Sequence, residues 1–322
     1  MSARQAQQMA DRVLGAWGRP ARPPRPVAVR ENAVFDAALQ DGRRLALRLH
    51  RPGYQDARAI RAELDWIAAL ARAGFPVPMP VPTITGGWLA ETGDRLASCT
   101  TWMNGAPLGE GGTPLGPAGP AQMQAVGALL AGLHDATDAL ALPADLPRHA
   151  WNAEGLLGEN ALWGRFWETP ATDAAGRTLL RAARDAAAAR LTDLAASGAD
   201  YGLVHADALR ENILVLPDGL ALIDFDDAGW GFRMYDLGTA MVQGLAEPGA
   251  ADLAAALLTG YGAHRALPGD AHDLVLFTAL RAFASAGWIL TRTAPDDRRR
   301  VSHTRRALHM ARHVVEGTTP WA

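Results

Sequence analysis

Residues 203–215 (LVHADALRENILV) and 220–227 (LALIDFDD) form the stretch that decides the fold, and residues 217–219 (PDG) lie between its two apolar runs. Pro, Asp and Gly favour tight turns, so the pattern predicts two antiparallel strands joined by a turn. Because antiparallel strands return to their start, we expect Asn212, before the first strand, to come near Asp224, at the end of the second.

Asp207 lies on the loop five residues before Asn212. Mg²⁺ prefers carboxylate and amide oxygens and shares its octahedral coordination with substrate phosphates. Asp224 and Asn212 can therefore hold Mg²⁺, while Asp207 is left to receive the proton of an acceptor hydroxyl. This geometry suits phosphoryl transfer with Mg²⁺.

This stretch resembles the aminoglycoside phosphotransferase and choline/homoserine kinase superfamily, a branch of the protein-kinase-like fold. His205-x-Asp207-x4-Asn212 is similar to the catalytic loop, and residues 223–227 (IDFDD) are similar to the metal-binding segment that replaces Asp-Phe-Gly. Residues 223–229 (IDFDDAG), together with residues 47–53 (LRLHRPG), look most like the branch of stress-response Ser/Thr kinases and type II homoserine kinases. The resemblance implies an α+β, two-lobed fold with a small N-terminal β-rich lobe and a larger, mainly helical C-terminal lobe.

The resemblance also implies a role for each residue of the loop. Asp207 is expected to orient and deprotonate the acceptor, and Asn212 and Asp224 are expected to bind the metal. His205 is expected to hold the loop rather than to carry a proton. Asp236 matches the family position that braces the loop by accepting backbone hydrogen bonds.

Resemblance places the nucleotide contacts in the N-terminal part of the chain. Kinases use a basic residue on the third strand to hold the ATP phosphates, paired with an acid on the first helix. The basic position falls on Arg48, where arginine replaces the usual lysine, and the acidic position falls on Glu63. The alternative is that Arg48 is only a strand residue at a sheet face, without a role in nucleotide binding. The phosphate-covering turn, residues 31–35 (ENAVF), has no glycine, and Asn32 is its expected contact. Adenine is expected to dock through backbone hydrogen bonds near Thr101, Trp102 and Met103.

Composition excludes several other classes of protein. The sequence contains no lysine, so all 31 basic residues are arginine, which excludes a Walker-A loop and a Schiff-base mechanism. The net charge of -3 gives no overall positive field that would attract nucleic acid, so we expect no nucleic-acid partner. The sequence has no long apolar stretch free of charges, so we expect no association with a membrane. The single Cys99 excludes an internal disulfide and fits a reducing compartment, so we expect a cytoplasmic protein.

A chain of 322 residues suggests about two structural units. Residues 104–120 are so rich in Gly and Pro that we expect a connection between lobes, without helix or strand. We therefore predict a nucleotide-binding lobe with a leading helix at residues 1–103 and a catalytic and acceptor-binding lobe at residues 104–322.

Periodicity predicts the elements within these lobes. The Asp41-Gly42 turn predicts a hairpin of two strands, and a second pair of strands is predicted after it. The Arg/Pro-rich residues 20–26 are expected to break the first helix. The predicted strands are residues 33–39, 44–49, 87–91 and 95–102. The predicted helices are residues 3–18, 56–73, 121–135, 171–196, 250–264, 271–291 and 297–315.

The acceptor pocket is expected in the helical lobe, because that lobe builds it in this fold. Candidates for its lining, for each of which core packing is an equally good explanation, are Trp151, Trp163, Trp167, Arg281 and Trp288. Asp227 is a further candidate that faces the acceptor or a second metal. His134-Asp135 is interpreted as an ordinary helix end, and His309 with His313 as a polar helix face.

Three functions remain open from the sequence. The acceptor is either a small alcohol of the homoserine, choline or aminoglycoside type, or a Ser/Thr hydroxyl of a protein. A third hypothesis, from another class, is a nucleotide-binding module without turnover, motivated by the missing lysine and glycine loop. The intact set of Asp207, Asn212 and Asp224 argues against it.

Overall fold

The structure is a computed structural model that describes residues 1–30 and 32–321, so Glu31 of the predicted phosphate-covering turn lies outside the described residues. The chain divides into two compact units. The first comprises Met1–Ala106, Leu140–Arg148 and Leu216–Asp226, and the second comprises the rest of the chain. Asp224 therefore belongs to the first unit, whereas Asp207 and Asn212 belong to the second.

The described residues contain helices and short strands throughout both units. The α-helices are α1 (Ala3–Val13), α2 (Ala57–Arg72), α3 (Gly119–Asp138), α4 (Ala153–Leu157), α5 (Ala174–Ala196), α6 (Met234–Met241), α7 (Ala250–Gly262), α8 (Ala271–Arg292) and α9 (Arg298–Glu316). The strands are β1 (Arg25–Val29), β2 (Ala33–Ala38), β3 (Arg44–Leu49), β4 (Pro80–Val81), β5 (Leu89–Thr92), β6 (Arg95–Thr101), β7 (Ala106–Pro107), β8 (Ala150–Trp151), β9 (Tyr201–Val204), β10 (Ile213–Leu216), β11 (Gly219–Leu222) and β12 (Gly229–Phe232).

The first unit is built on a six-stranded sheet with the order β1-β2-β3-β6-β4, in which β5 also pairs with β6. All its pairs are antiparallel. Gly42, at the turn between β2 and β3, has a φ of +89°, a left-handed conformation that glycine adopts without steric cost. The β2–β3 and β5–β6 pairs confirm the two strand pairs predicted from the sequence.

Helix α1 covers the apolar core of this sheet. Ala6 and Ala10 are completely buried in the same cluster as Phe35 of β2. Beyond the helix, the indole Nε1 of Trp17 donates to the carbonyl oxygen of Val81 at 2.8 Å. The leading helix predicted from the sequence is therefore an integral part of the first unit.

Helix α2 carries one of the predicted nucleotide-site residues on its buried face. Asp56 caps the helix by accepting the N–H of Ala59 at 2.7 Å, which satisfies one of the free donors of the first turn. Ile60 and Ile67 are buried on the apolar face, and Glu63 is buried with them. A carboxylate on such a face needs cationic partners, and these are described below.

Strand β1 corrects the prediction that residues 20–26 only break the first helix, because Arg25 and Pro26 belong to this strand. Pro26 pairs with Phe35 of β2, and the register shifts between Pro26 and Ala28. Proline donates no backbone hydrogen bond, so it is tolerated on an edge strand and next to a bulge. Both conditions hold for β1, which is the first strand in the sheet order.

The Gly/Pro-rich segment also differs from the prediction for residues 104–120. It contains β7 and a 3-10 helix at Gly116–Ala118, and α3 begins at Gly119 with Pro120 in its first turn. Proline fits the start of a helix because an N–H at this position would have no partner within the helix. The composition therefore marks a helix start as well as a connection.

The second unit is mainly helical. Helix α8 packs against α6 and α9, and α3 packs against α7. Among the described residues, α8 is the one helix long and apolar enough to cross a membrane, and 83% of its apolar stretch is buried inside the protein. A small sheet places β12 between β9, which runs antiparallel to it, and β8, which runs parallel. The structure confirms the longer predicted helices and adds the short helices α4 and α6.

Two glycines allow α3 and α7 to approach closely. A Cβ atom on Gly127 would lie 2.1 Å from the carbonyl oxygen of Leu257, and one on Gly260 would lie 1.9 Å from that of Gln124. Both distances are far below van der Waals contact, so only glycine fits at these two positions. The backbones of the two helices therefore touch where they cross.

Candidate active site

A buried carboxylate shapes the loop that carries Asp207. Asp236 of α6 accepts the N–H of His205 at 2.8 Å and the N–H of Ala206 at 2.6 Å. Ala206 has a φ of +64°, a strained conformation for a residue with a side chain. The two hydrogen bonds to Asp236 hold this conformation, and they set the direction in which the chain enters Asp207.

His134 supports the same carboxylate. Its Nε2 lies 3.1 Å from Oδ2 of Asp236, and its Nδ1 lies 2.8 Å from the hydroxyl of Tyr261. An ionised carboxylate only accepts hydrogen bonds, so Nε2 carries the proton and Nδ1 accepts from Tyr261. Burial lowers the pKa of His134 and keeps the ring neutral. The sequence interpretation as an ordinary helix end missed this support.

Burial alone would raise the pKa of Asp236. The hydrogen bonds from His134 and from the backbone at His205 outweigh the burial, so the pKa of Asp236 is lowered. Asp236 is therefore an ionised carboxylate that accepts hydrogen bonds from neutral groups, the His134 ring and two backbone N–H groups. These contacts suit a structural role in holding the catalytic loop.

Asp207 is held at both carboxylate oxygens. Arg281 of α8 donates from Nη2 to Oδ1 at 2.6 Å, and Asn212 donates from Nδ2 to Oδ2 at 2.8 Å. The backbone N–H of Asp207 donates to Nδ1 of His205 at 3.2 Å. Each carboxylate oxygen has a second lone pair, so Asp207 can still accept a hydrogen bond from an acceptor hydroxyl.

Arg281 is buried, at 4% exposure, and lies among polar and aromatic partners. Its Nη1 donates to the hydroxyl of Ser285, and its guanidinium carbon lies 4.8 Å from the ring centre of Trp163. Burial alone would lower the pKa of Arg281, but the negative charge of Asp207 outweighs it and the pKa is raised. Arg281 therefore stays a cation in contact with Asp207.

The predicted lining tryptophans fall into two groups. Trp163 lies 4.9 Å from Trp151 and 6.5 Å from Trp288, measured between ring centres. Trp151 also donates from Nε1 to the carbonyl oxygen of Asp227 at 2.8 Å. Trp167 instead contacts a different arginine, Arg184, at 4.0 Å from its ring centre, and the ring of Phe166. The structure therefore brings together Trp151, Trp163, Trp288 and Arg281.

In the first unit, Arg48 lies among three carboxylates. Its Nη2 donates to Oδ1 of Asp224, and its Nη1 lies 3.8 Å from Oε1 of Glu63 and 3.8 Å from Oδ1 of Asp226. The charges of the three carboxylates outweigh burial and raise the pKa of Arg48. The pairing with Glu63 matches the geometry that the resemblance implied for the lysine position.

Arg148 is a second arginine at Glu63, and no local sequence pattern predicts this contact. Its Nη1 lies 3.2 Å from Oε2 of Glu63, and its Nη2 donates to the carbonyl oxygens of Phe225, at 3.2 Å, and Asp226, at 2.6 Å. The Arg148 side chain is completely buried. Arg148 thus ties helix α2 to the segment that follows Asp224.

The burial of Glu63 changes its pKa. Removal from water raises its pKa to about 7, because the attraction of Arg148 and Arg48 only partly offsets the desolvation. Both arginines lie on the same carboxylate, one at each oxygen. Their joint presence is what allows an acid to remain on the buried face of α2.

Asp224 and Asp226 are positioned by their own local contacts. Asp224 has a φ of +66°, so the chain is strained at the residue predicted to bind the metal. Oδ2 of Asp226 accepts from Nδ2 of Asn32 at 2.9 Å, and Oδ1 of Asn32 accepts the N–H of Arg51 at 2.8 Å. Asn32 therefore lies beside the acidic segment, in the first unit.

The predicted adenine contacts lie at the end of β6. The N–H of Thr101 donates to Met79 at 2.8 Å, and the N–H of Trp102 donates to Arg44 at 3.0 Å. The guanidinium of Arg44 also lies 4.3 Å over the Trp102 ring. The N–H groups of Thr101 and Trp102 are therefore already engaged within the first unit.

The chemistry of the donor set fits Mg²⁺. Among the described residues no group of three or more His, Cys, Asp or Glu side chains is arranged to hold a metal. Mg²⁺ is commonly bound by one or two protein oxygens together with water and phosphate, so this finding is compatible with it. The Asp224 side chain is 41% exposed and already contacts a cation, Arg48. The Asp224 carboxylate in the first unit and the Asn212 amide oxygen in the second unit are each a ligand of the type that Mg²⁺ prefers.

Sequence comparisons give related proteins across most of the chain. Residues 25–273 match the family model of the phosphotransferase enzyme family, APH. An uncharacterised protein of Deinococcus radiodurans is 32% identical over 267 residues, which cover 80% of this chain and 74% of that protein. A homoserine kinase of Allorhizobium ampelinum is 31% identical over 52% of this chain and 48% of that enzyme.

Solved structures match over nearly the whole chain. A microcompartment-associated aminopropanol kinase has a TM-score of 0.83 and 27% identity, with 98% of each chain covered. The amicoumacin kinase hAmiN, in complex with AMP-PNP, Ca²⁺ and Ami, has a TM-score of 0.75 and 20% identity, with 99% of this chain and 95% of that chain covered. These similarities confirm the α+β, protein-kinase-like fold expected from the sequence.

Proposed function

Because the chain belongs to the phosphotransferase enzyme family, and is a small-molecule kinase with an alcohol acceptor, we propose that ATP is its phosphoryl donor and that the reaction requires Mg²⁺. The environment of Asp207 carries this proposal. Arg281 and Asn212 fix its two oxygens, and Asp236 holds the loop that presents it. A carboxylate fixed in this way is suited to orient a hydroxyl.

Asp207 orients the acceptor hydroxyl and takes its proton. The hydroxyl oxygen then bonds to the γ-phosphorus of ATP, the bond from that phosphorus to the bridging oxygen breaks, and ADP leaves. His205 and Asp236 hold the loop and take no part in the proton transfer. Positioning supplies most of the rate enhancement, because the protein does little covalent chemistry in such reactions.

Asn212 and Asp224 would hold the metal ion in this proposal. Mg²⁺ supplies charge neutralisation on the phosphate oxygens when it is bound. Asp227 is kept as a candidate for the acceptor or for a second metal. Its carbonyl oxygen accepts from Trp151, so its backbone is fixed.

Arg48 binds the ATP phosphates in place of lysine. A guanidinium can bind phosphate in a bidentate manner and is always charged, so it suits this role although its geometry differs from that of an ammonium. Glu63 and Arg148 keep Arg48 attached to α2. Asn32 contacts the phosphates, and the adenine lies against the backbone of residues 101–103.

The acceptor is a small molecule of the amino alcohol or homoserine type. The aminopropanol kinase similarity and the homoserine kinase similarity support this choice over Ser/Thr side chains of proteins. We also propose a cytoplasmic location, which the single buried cysteine, Cys99, supports.

Phosphorylation assays with a panel of acceptors test the proposed function. The panel contains homoserine, 3-amino-1-propanol, choline, an aminoglycoside and a Ser/Thr-containing protein, each with ATP and with or without Mg²⁺. We expect Mg²⁺-dependent ADP formation and a phosphorylated product with at least one small alcohol. Phosphorylation of the protein alone, or turnover without Mg²⁺, would contradict the proposal.

A further inference from the structure

The catalytic loop is held at both of its ends by one stretch of the chain. Asp236 of α6 accepts the backbone N–H groups of residues 205–206, which come before Asp207. Gln243, just beyond the end of α6, accepts the backbone N–H of Arg210 at 3.0 Å, after Asp207. Asp207 therefore lies between two points of attachment to α6 and its continuation.

A buried ion pair adds to the second of these attachments. Nη1 of Arg210 lies 2.6 Å from Oε1 of Glu247, and the two side chains are 2% and 8% exposed. Nη1 of Arg210 also donates to the carbonyl oxygen of Thr113 at 3.0 Å, and Oε2 of Glu247 accepts the N–H of Leu115 at 2.9 Å. Arg210, Gln243 and Glu247 form what we call the exit clamp, and all three belong to the second unit.

The Gly/Pro-rich segment fits closely against the exit clamp. Glu211 accepts the N–H of Gly111 at 3.0 Å and Nε2 of Gln243 at 2.8 Å, one at each carboxylate oxygen. A Cβ atom on Gly111 would lie 3.0 Å from Nε2 of Gln243, which is closer than ordinary van der Waals contact. The N–H of Leu108 donates to the carbonyl oxygen of Ile213 at 2.7 Å. The end of the loop is therefore attached to this segment at several points.

The exit clamp lies next to the two residues on which the proposed chemistry depends. Arg210 begins the short 3-10 helix that Asn212 ends. Nδ2 of Asn212 donates to the carbonyl oxygen of Asp207 at 2.9 Å and to its Oδ2 at 2.8 Å. The amide nitrogen of Asn212 thus faces Asp207, so its amide oxygen is directed away from that carboxylate. Both functions of Asn212 depend on the path that the chain takes from Arg210.

The Arg210–Glu247 pair is a weak source of stability. Desolvation of two charges largely cancels their attraction, and replacing such a pair with uncharged groups of similar size is often neutral for stability. Nε and Nη2 of Arg210 are also buried without a hydrogen-bond partner among residues 1–30 and 32–321, which makes the burial of this guanidinium less favourable. A pair with little net effect on stability but with fixed partners on several segments is suited to orient the loop.

We propose that Arg210, Gln243 and Glu247 are positioning residues for phosphoryl transfer, which fix the end of the catalytic loop so that Asn212 keeps its contact with Asp207. This inference rests on the proposed kinase function and adds residues that act through Asn212 rather than on the substrates. A displacement of about 1 Å in a reacting group can lower a rate by about 10²-fold. Loss of the exit clamp should therefore lower turnover without a matching loss of ATP binding.

Removing both charges at once separates positioning from stability. Arg210→Met alone leaves the Glu247 carboxylate buried without its cation, so we expect a lower melting temperature and a lower turnover. Arg210→Met/Glu247→Gln removes both charges and keeps an acceptor for the N–H of Leu115, so its melting temperature should return close to that of the wild type. Its turnover, with the acceptor that the panel of assays identifies, should stay at least ~10-fold below the wild type, with KM for ATP nearly unchanged. Turnover that recovers together with the melting temperature overturns the inference.

Hydrogen exchange measures the order of the loop without any turnover. The exchange of the backbone amides of residues 208–213 is followed by mass spectrometry in the full chain. We expect faster exchange in the double variant, because the loop opens more readily without the ion pair. Gln243→Met should have the same effect and should also lower turnover, because it removes the acceptor of the Arg210 N–H and leaves no buried charge unpaired. Unchanged exchange in both variants overturns the inference.

Arg165→Met/Glu168→Gln is the matched control. It makes the same changes in an ion pair of the same unit whose side chains are 42% and 49% exposed, so turnover, melting temperature and exchange should all stay constant. Arg210→Lys keeps the ion pair and should retain most of the turnover. A wild-type protein without turnover contradicts the proposed function instead, and the exchange of residues 208–213 still shows whether the exit clamp orders the loop.

Discussion

Arg48 and Asp224 are hydrogen-bonded to each other in the first unit. The residue proposed to hold the ATP phosphates therefore neutralises the residue proposed to hold the metal. In the proposed function Asp224 would bind Mg²⁺ and Arg48 would bind the ATP phosphates. A metal–nucleotide complex would therefore compete with the ion pair that the two side chains form with each other.

Asp224→Ala tests the metal assignment. Loss of the carboxylate removes a proposed Mg²⁺ ligand, so we expect ATP binding to lose its dependence on Mg²⁺. The measurement is ATP affinity by calorimetry over a Mg²⁺ series. An unchanged affinity and an unchanged metal dependence would count decisively against the assignment.

Arg48→Ala tests the phosphate assignment. We expect ATP affinity to fall by ~10-fold or more and adenosine affinity to stay nearly constant, because only ATP carries the phosphates that a charged hydrogen bond serves. Arg48→Lys should recover part of the loss. Equal weakening of both ligands, or of neither, would show that Arg48 is only a strand residue.

Asp207→Asn separates chemistry from binding at the catalytic loop. The substitution keeps the size of the side chain but removes the carboxylate that receives the proton. General-base assistance contributes about 10²–10⁴-fold, so we expect turnover to fall by at least ~10² with ATP affinity nearly unchanged. Turnover close to that of the wild type would eliminate the proposed mechanism.

His205→Ala provides the comparison for a residue that braces the loop. Its Nδ1 accepts from the backbone N–H of Asp207, so its loss should lower the melting temperature together with activity. Asp207→Asn also removes the charge that matches the buried guanidinium of Arg281, so its melting temperature should fall as well, but its turnover should stay low at temperatures far below its melting point. Turnover of the two folded variants at such a temperature distinguishes the two roles.

Arg148→Met tests the link between α2 and the segment after Asp224. Removing one partner of a buried ion pair leaves Glu63 less compensated and typically costs about 3–5 kcal/mol. We expect a clear fall in the free energy of unfolding in urea. Arg72→Met is the control, because Arg72 is exposed at the end of the same helix. Similar stabilities of the two variants would remove Arg148 from its structural role.

The His134–Asp236 pair predicts sensitivity to acid. The folded-state pKa of His134 is below the unfolded value of about 6.5, so its stabilising contribution is present above pH 6.5 and is lost as the pH falls. The lowered pKa of Asp236 acts in the same direction at lower pH. We expect the free energy of unfolding to decrease on acidification below pH 6.5.

His134→Gln keeps a donor for Asp236 but does not titrate in this range. The variant should therefore lose less stability than the wild type between pH 6.5 and lower values. His264→Gln is the matched control, because His264 is exposed. The same pH dependence in wild type and His134→Gln would assign the acid sensitivity to other groups.

Local sequence signals were sufficient for much of the fold. The Asp41-Gly42 turn marks the β2–β3 hairpin, and three- to four-residue apolar spacing marks α2 and the long helices of the second unit. The loop pattern from His205 to Asn212 selected the residues that surround Asp207. These features depend on neighbours within a few positions, which periodicity and turn chemistry encode.

Long-range partners were not accessible in this way. Arg148 is 85 residues from Glu63, and His134 is 102 residues from Asp236. Nothing near either residue distinguishes it from an ordinary surface arginine or a helical histidine. Their roles depend on which segments the fold brings together, and a single sequence does not specify that pairing.

Arginine at position 48 has a practical consequence for detecting this protein. Reagents that identify nucleotide-binding proteins by acylating a lysine beside the ATP phosphates need a nucleophilic side-chain amine, and this chain has none. A guanidinium stays protonated at neutral pH and does not react with them. Surveys that use such reagents would therefore overlook this kinase.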